Sequence, residues 1–265
     1  MSAELTQLEA VLRRDRAVIL AGVTMVALIA WAYLVYLVWE METMDDMVAM
    51  GMTPDMVMPQ MQSWGAVELL LLFVMWAVMM VAMMVPSVAP LILMFARANR
   101  QKGVSRVVGS AGILFLGYLL VWMGFSVLAT LAQWRLHTAA LLSPMMVSTS
   151  SAFGGLLLVA AGVFQFTPLK RACLVRCRSP LSFLMSEWRE GQWGTLFMGL
   201  KHGAYCVGCC WMLMTLPFVA GVMNLLWVAA IAVLVLVEKI APRGDLIGRV
   251  AGGTLIVAGI ASIVT

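Results

Sequence analysis

Met198, His202, Cys206, Cys210 and Met214 follow one another at a spacing of four, and Cys209 stands three after Cys206. Residues three and four apart share a face of an α-helix. This spacing therefore gathers two thioethers, one imidazole and three thiols onto one stripe. Such donors are soft or borderline: together they suit Cu(I), and the thiolates and imidazole alone suit Zn(II). The competing readings are thiol redox chemistry and plain packing, since one buried cysteine is commonly a small hydrophobe. Three cysteines and a histidine on one face put metal binding first. Gly203 and Gly208 leave room for a neighbouring helix. Lys201 points away from the stripe and reads as snorkelling to an interface.

Methionine extends the sulfur chemistry. Met75, Met79 and Met83 form one stripe of a second apolar run, flanked by Met80 and Met84, with Pro86 freeing a backbone carbonyl. If this run faces the cysteine stripe, the two make a sulfur-rich site; flexible packing is the alternative. Segment 40–66 is a methionine-rich acidic stretch in which Met41, Met44, Met47 and Met50 recur every three residues. Thioethers bind Cu(I) without losing a proton, so such a segment works in an oxidising compartment. It resembles the extracellular methionine-rich segments of copper importers, and an amphipathic segment lying on the membrane is the alternative. Segment 168–193 is basic and carries Cys173 and Cys177, four apart and flanked by arginines. These two can receive or deliver a metal, or be two reduced cytosolic thiols.

The elements that must position these residues are membrane helices. The chain has 265 residues, of which 63% are hydrophobic and 11% charged; a soluble domain needs roughly 25% charged residues. Apolar runs cover residues 17–39, 67–95, 107–132, 150–167, 194–216, 219–237 and 246–264. Several reach about 20 residues, the length that crosses a bilayer as a helix. The expected fold class is all-α: a polytopic transmembrane bundle of about seven helices forming one integral membrane domain. The first run is too long for a removable leader and is expected to stay as an anchor. Basic residues cluster in alternate connections: Arg13, Arg14 and Arg16; Arg97, Arg100, Lys102 and Arg106; Lys170, Arg171, Arg176, Arg178 and Arg189; Lys239, Arg243 and Arg249. The positive-inside rule places these in the cytoplasm. The N-terminus is then inside, the C-terminus outside, segment 40–66 an external loop and segment 168–193 a cytoplasmic one. The net charge of +4 follows from this topology, and no nucleic-acid partner is expected. Glu238 and Lys239 end the sixth run and read as an interfacial ion pair.

Three motifs together resemble a bacterial family of predicted metal-binding integral membrane proteins of unknown function. They are Trp76-(x)3-Met80-(x)2-Met83-Met84-(x)-Pro86, Gln165-(x)-Thr167-Pro168-Leu169-Lys170 with Cys173 and Cys177, and Tyr205-Cys206-Val-Gly208-Cys209-Cys210-Trp211. The resemblance covers the second to sixth runs. It implies a bacterial inner membrane and a metal site at Cys206, Cys209, Cys210 and His202, and it names no reaction. Copper handling is the leading expectation: uptake, trafficking, or metallation of a partner, with zinc as the other candidate ion. The bilayer, the ion, and a metallochaperone or metalloenzyme are the expected partners. A membrane thiol–disulfide carrier and a non-metal scaffold or assembly factor are the alternatives. No ATP-binding loop, phosphorylated-aspartate segment or hydrolytic constellation is present, so active pumping by this chain alone is not expected, and an enzymatic role stays open as the less favoured reading.

Overall fold

The structure is a computed structural model that describes residues 2–49, 65–104, 106–139, 150–222 and 224–264. The described residues are mostly helical, with no strand among them. In chain order they form α1 (Ser2–Ala49), α2 (Ala66–Gln101), α3 (Val107–Thr138), α4 (Ser151–Phe164), α5 (Pro168–Arg178), α6 (Pro180–Glu187), α7 (Gly191–Cys210), a 3-10 turn (Leu213–Thr215), α8 (Pro217–Ala220), α9 (Leu225–Ile240) and α10 (Gly244–Val264).

Among the described residues, four helices are long and apolar enough to cross a membrane: Arg13–Met41 within α1, then α2, α3 and α10. Counting each bent pair as one span raises the number to six. The sixth expected run forms α9, of 16 residues, about 24 Å long at 1.5 Å per residue. That falls short of a hydrocarbon core of about 30 Å. Long helices with exposed leucine, isoleucine and valine, such as Leu28, Leu70, Leu128 and Val257, are compatible with a multi-pass membrane protein.

Segment 40–66 does not start as a loop: α1 runs on to Ala49 and carries Met41, Met44 and Met47 on a helix. Met50, residues 51–64 and the side chains of Met44 and Met47 lie outside the described residues. Segment 168–193 is not a loop either, because its first two-thirds fold as α5 and α6. Thr167 is extended (φ −72°, ψ 147°), and its side chain accepts from the Lys170 N–H, with Pro168 opening α5. Proline holds the preceding residue extended and fits the first helical position, so α4 stops and α5 leaves it at 62°.

The expected straight fifth span is broken. It ends as an α-helix at Cys210, and residues 213–220 continue at 70°. Pro217 explains this, since its ring would clash with the Leu213 carbonyl in a continuous helix and it donates no hydrogen bond. Met214 is therefore off the helical stripe, although it stays buried.

Packing follows small residues. α3 and α7 run side by side, crossing closely where an ideal Cβ on Gly117 would stand 3.1 Å from the Cα of Gly199. α4 lies along α10, α1 along α2, α2 along α3, and α5 rests on α7. The interior is mainly apolar but also holds polar and charged groups: Gln133, Gln165, Lys170, His202, Glu238 and Lys239 are buried.

Candidate metal centre

The α7 stripe forms as its spacing predicts. Met198, His202, Cys206, Cys209 and Cys210 are all buried. α5 brings a fourth thiol to them. Cys177 is buried where α5 packs on α7, beside Cys206 and Cys209, and Cys210 neighbours the same two thiols. Cys173, half-buried, packs against Gly208, where an ideal Cβ would stand 2.7 Å from its Sγ. Glycine at 208 is what lets α5 approach. The two cysteine sets that sequence places apart, at 173–177 and 206–210, thus form one cluster.

All five cysteines are free thiols. Cys209 Sγ and Cys210 Sγ each donate to the Cys206 carbonyl at 3.0 Å. Cys206 Sγ lies 3.1 Å from the Tyr118 hydroxyl and accepts from Lys239 Nζ at 2.9 Å. Among the described residues, no group of three or more His, Cys, Asp or Glu is arranged to hold a metal ion. Cys209 and Cys210 both turn their thiols to the carbonyl of their own helix. His202 is 3% exposed. Its ring packs against Tyr118 and, edge-on, against Phe183. Its Nδ1 has no hydrogen-bond partner. A buried nitrogen left open is costly and is a free donor for a ligand.

Met79, Met80, Met83 and Met84 are buried in the same core. The expected direct pairing of their helix with the cysteine helix is replaced by a relay. The helix packed along α7 is α3. α2 is tied to the thiols through Tyr118, which donates to the Met84 carbonyl at 3.1 Å, and through Lys239, which donates to Ser87 Oγ at 3.1 Å.

Glu238 and Lys239 are not an interfacial pair with each other. Glu238 binds Lys170 at 2.6 Å, with both side chains at most 4% exposed, and Lys170 also donates to Gln165 Oε1. Lys201 does not simply reach for an interface, because it pairs with Glu187 at 2.6 Å. Lys239, Tyr118 and Ser87 are the site residues that sequence reasoning misses. Lys239 carries one signal, a charge directly at the end of an apolar run; Tyr118 and Ser87 carry none.

A family model described as a copper chaperone, PpoB2, matches residues 73–262. No curated protein matches, and no solved structure matches.

Proposed function

We propose that this chain, which belongs to the PpoB2 copper chaperone family, holds Cu(I) as cargo between α5 and α7 and passes it to a partner protein. The observation that carries this reading is the packing of α5 on α7, which sets Cys173 against Gly208 and Cys177 beside Cys206 and Cys209, inside a core that also leaves His202 Nδ1 open. Thiolates and an imidazole are donors that suit Cu(I). Loading turns Cys209 and Cys210 off the Cys206 carbonyl and releases the thiol protons as copper–sulfur bonds form. Cys173 is half-exposed where Cys177 is buried, which makes it the thiol that exchanges copper with an incoming or outgoing ligand. Met41, Met44, Met47 and Met50 serve as a capture segment, and Met79, Met80, Met83, Met84, Met198 and Met214 as a soft lining. The long apolar helices support a membrane location; on this reading it is a bacterial inner membrane, with a metallochaperone or a metalloenzyme as the partner.

The test is metal content after growth with copper and zinc supplied equally. The purified wild type is expected to hold about one copper per chain, as one closed cluster of soft donors would. Replacing Cys206, Cys209 and Cys210 with Ser is expected to abolish it. An unchanged stoichiometry in that variant sinks the reading, and zinc in place of copper moves the weight to His202 and the thiols.

The Cys177 contacts also favour a second reading, a thiol–disulfide carrier. It predicts that Cys177 becomes disulfide-linked to Cys206 or Cys209 after aerobic purification. Alkylation followed by peptide mass analysis separates the two: five alkylated cysteines leave the copper reading alone.

A further inference from the structure

The break between α4 and α5 faces the start of α10 across a cavity of about 190 Å³. Gln165, Lys170, Arg171, Asp245 and Arg249 supply its polar lining. The charges do not cancel. Lys170 is neutralised by Glu238 at 2.6 Å, and Asp245 by Arg178 at 2.8 Å. Arg171 and Arg249, both exposed, have no side-chain hydrogen bond or ion pair among the described residues. One buried donor points the same way. Gln165 is 7% exposed. Lys170, whose ammonium only donates, must face the Gln165 oxygen, and this leaves Gln165 Nε2 without a partner. Two unpaired guanidinium groups and an open amide donor make a site for an oxyanion, and guanidinium matches phosphate two bonds at a time.

The setting indicates who carries that phosphate. Phe166, Leu169, Leu246 and Val250, beside the cavity in sequence, are 53–60% exposed, and α10 is one of the helices able to cross a membrane. Arginine facing lipid without a counter-ion is strongly unfavourable. Apolar side chains around a basic pocket suit acyl chains below a headgroup. We propose that this cavity binds a phosphate oxyanion, carried in the membrane as the headgroup of an anionic phospholipid. The site pins the α4–α5 break against α10. It stands independently of whether the thiol cluster carries copper.

Native mass spectrometry of the lipid-stripped full chain in detergent tests this, with phosphatidylglycerol, phosphatidylcholine or inorganic phosphate added separately. The expected result is a one-to-one phosphatidylglycerol adduct that survives when phosphatidylcholine is lost. It falls about tenfold or more in Arg171→Gln/Arg249→Gln, in keeping with the loss of charge-assisted bonds. Arg171→Lys/Arg249→Lys keeps the charge but loses the fork and is expected between the two. A pair of arginines remote in sequence, Arg14→Gln/Arg106→Gln, removes equal charge and is expected to bind as wild type. An adduct of inorganic phosphate that shows the same dependence on Arg171 and Arg249, without lipid preference, supports the oxyanion site and assigns it to free phosphate. Equal loss in the site and control pairs, or no adduct with either probe, overturns the proposal.

Discussion

A Cu(I) ion held by two thiolates carries one net negative charge, and burying it without a counter-ion is expensive. Lys239 is the counter-ion within reach: its ammonium donates to Cys206 Sγ at 2.9 Å and is itself buried. On the copper reading it acts as the outer partner that balances the site. Lys239→Met is therefore expected to weaken Cu(I) affinity about 10- to 100-fold, the usual cost of losing an outer-shell partner, in competition against a Cu(I) chelator. Lys201→Met, which loses only a pair with Glu187 at 33% side-chain exposure, is expected to leave that affinity unchanged. Equal affinities for Lys239→Met and wild type would remove Lys239 from the site. At this scale the sequence is legible where spacing along one helix decides the outcome. His202, Cys206, Cys209 and Cys210 lie on one face because the helix period puts them there. Cys177 and Lys239 are beyond such reasoning, since they arrive from helices 29 and 33 positions away from Cys206, and no local period encodes that meeting.

At the scale of elements, the site depends on how closely α3 approaches α7. Tyr118 follows Gly117, and Gly117 packs against Gly199. A methyl group at either glycine meets backbone, which cannot turn aside as a flexible side chain does. Gly199→Ala is expected to push the helices apart, cost about 1–3 kcal/mol and lower the thermal midpoint in detergent. It is also expected to loosen the Tyr118–Cys206 contact and reduce copper retention. Gly112, on α3, is a fair control: it is exposed and has nothing within 4 Å of an added Cβ. Gly112→Ala is expected to be neutral or stabilising by about 0.5–1 kcal/mol, through helix propensity. If both variants melt alike, close approach is not what holds α3 and α7. The long helices are legible because apolar length is a strong signal, as α2, α3 and α10 show. The breaks are less so. Residues 168–178 read as a loop because they are basic, yet Thr167 and Pro168 form a helix start with its own cap. Pro217 is equally visible, but only the three-dimensional path shows that the 70° bend falls directly after the thiols. Within α7, one turn before this break, the Cys206 carbonyl collects two thiols.

For the whole molecule the open quantity is the path of α9. The four basic clusters share one side of a membrane only if an even number of crossings separates each from the next. α1 with α2 supplies one pair, and α3 with the bent α4–α5 supplies another. The third pair needs α7 with its bent tail to go out and α9 to come back. At 16 residues, about 24 Å, α9 is short for this. The shortfall is met where Lys239, near its end, is held by Ser87 and Cys206 instead of by water. Burial of that charge by protein lets the helix end below the interface, which a lipid-facing lysine could not do without snorkelling. The expected outcome is therefore seven crossings, with the two termini on opposite sides. A phosphatase reporter, active only outside the cytoplasm, is expected to be active when joined after Thr265 and inactive when inserted after Lys102. Activity at neither position means that the bent α4–α5 pair is re-entrant, since Arg178 pairs with Asp245 at 2.8 Å and keeps the start of α10 beside the end of α5. The chain then crosses six times, and Arg243 and Arg249 no longer share a side with Arg100 and Lys102. In that case the charge pattern, which assumes every connection crosses fully, misplaces the end of the molecule that carries the oxyanion cavity.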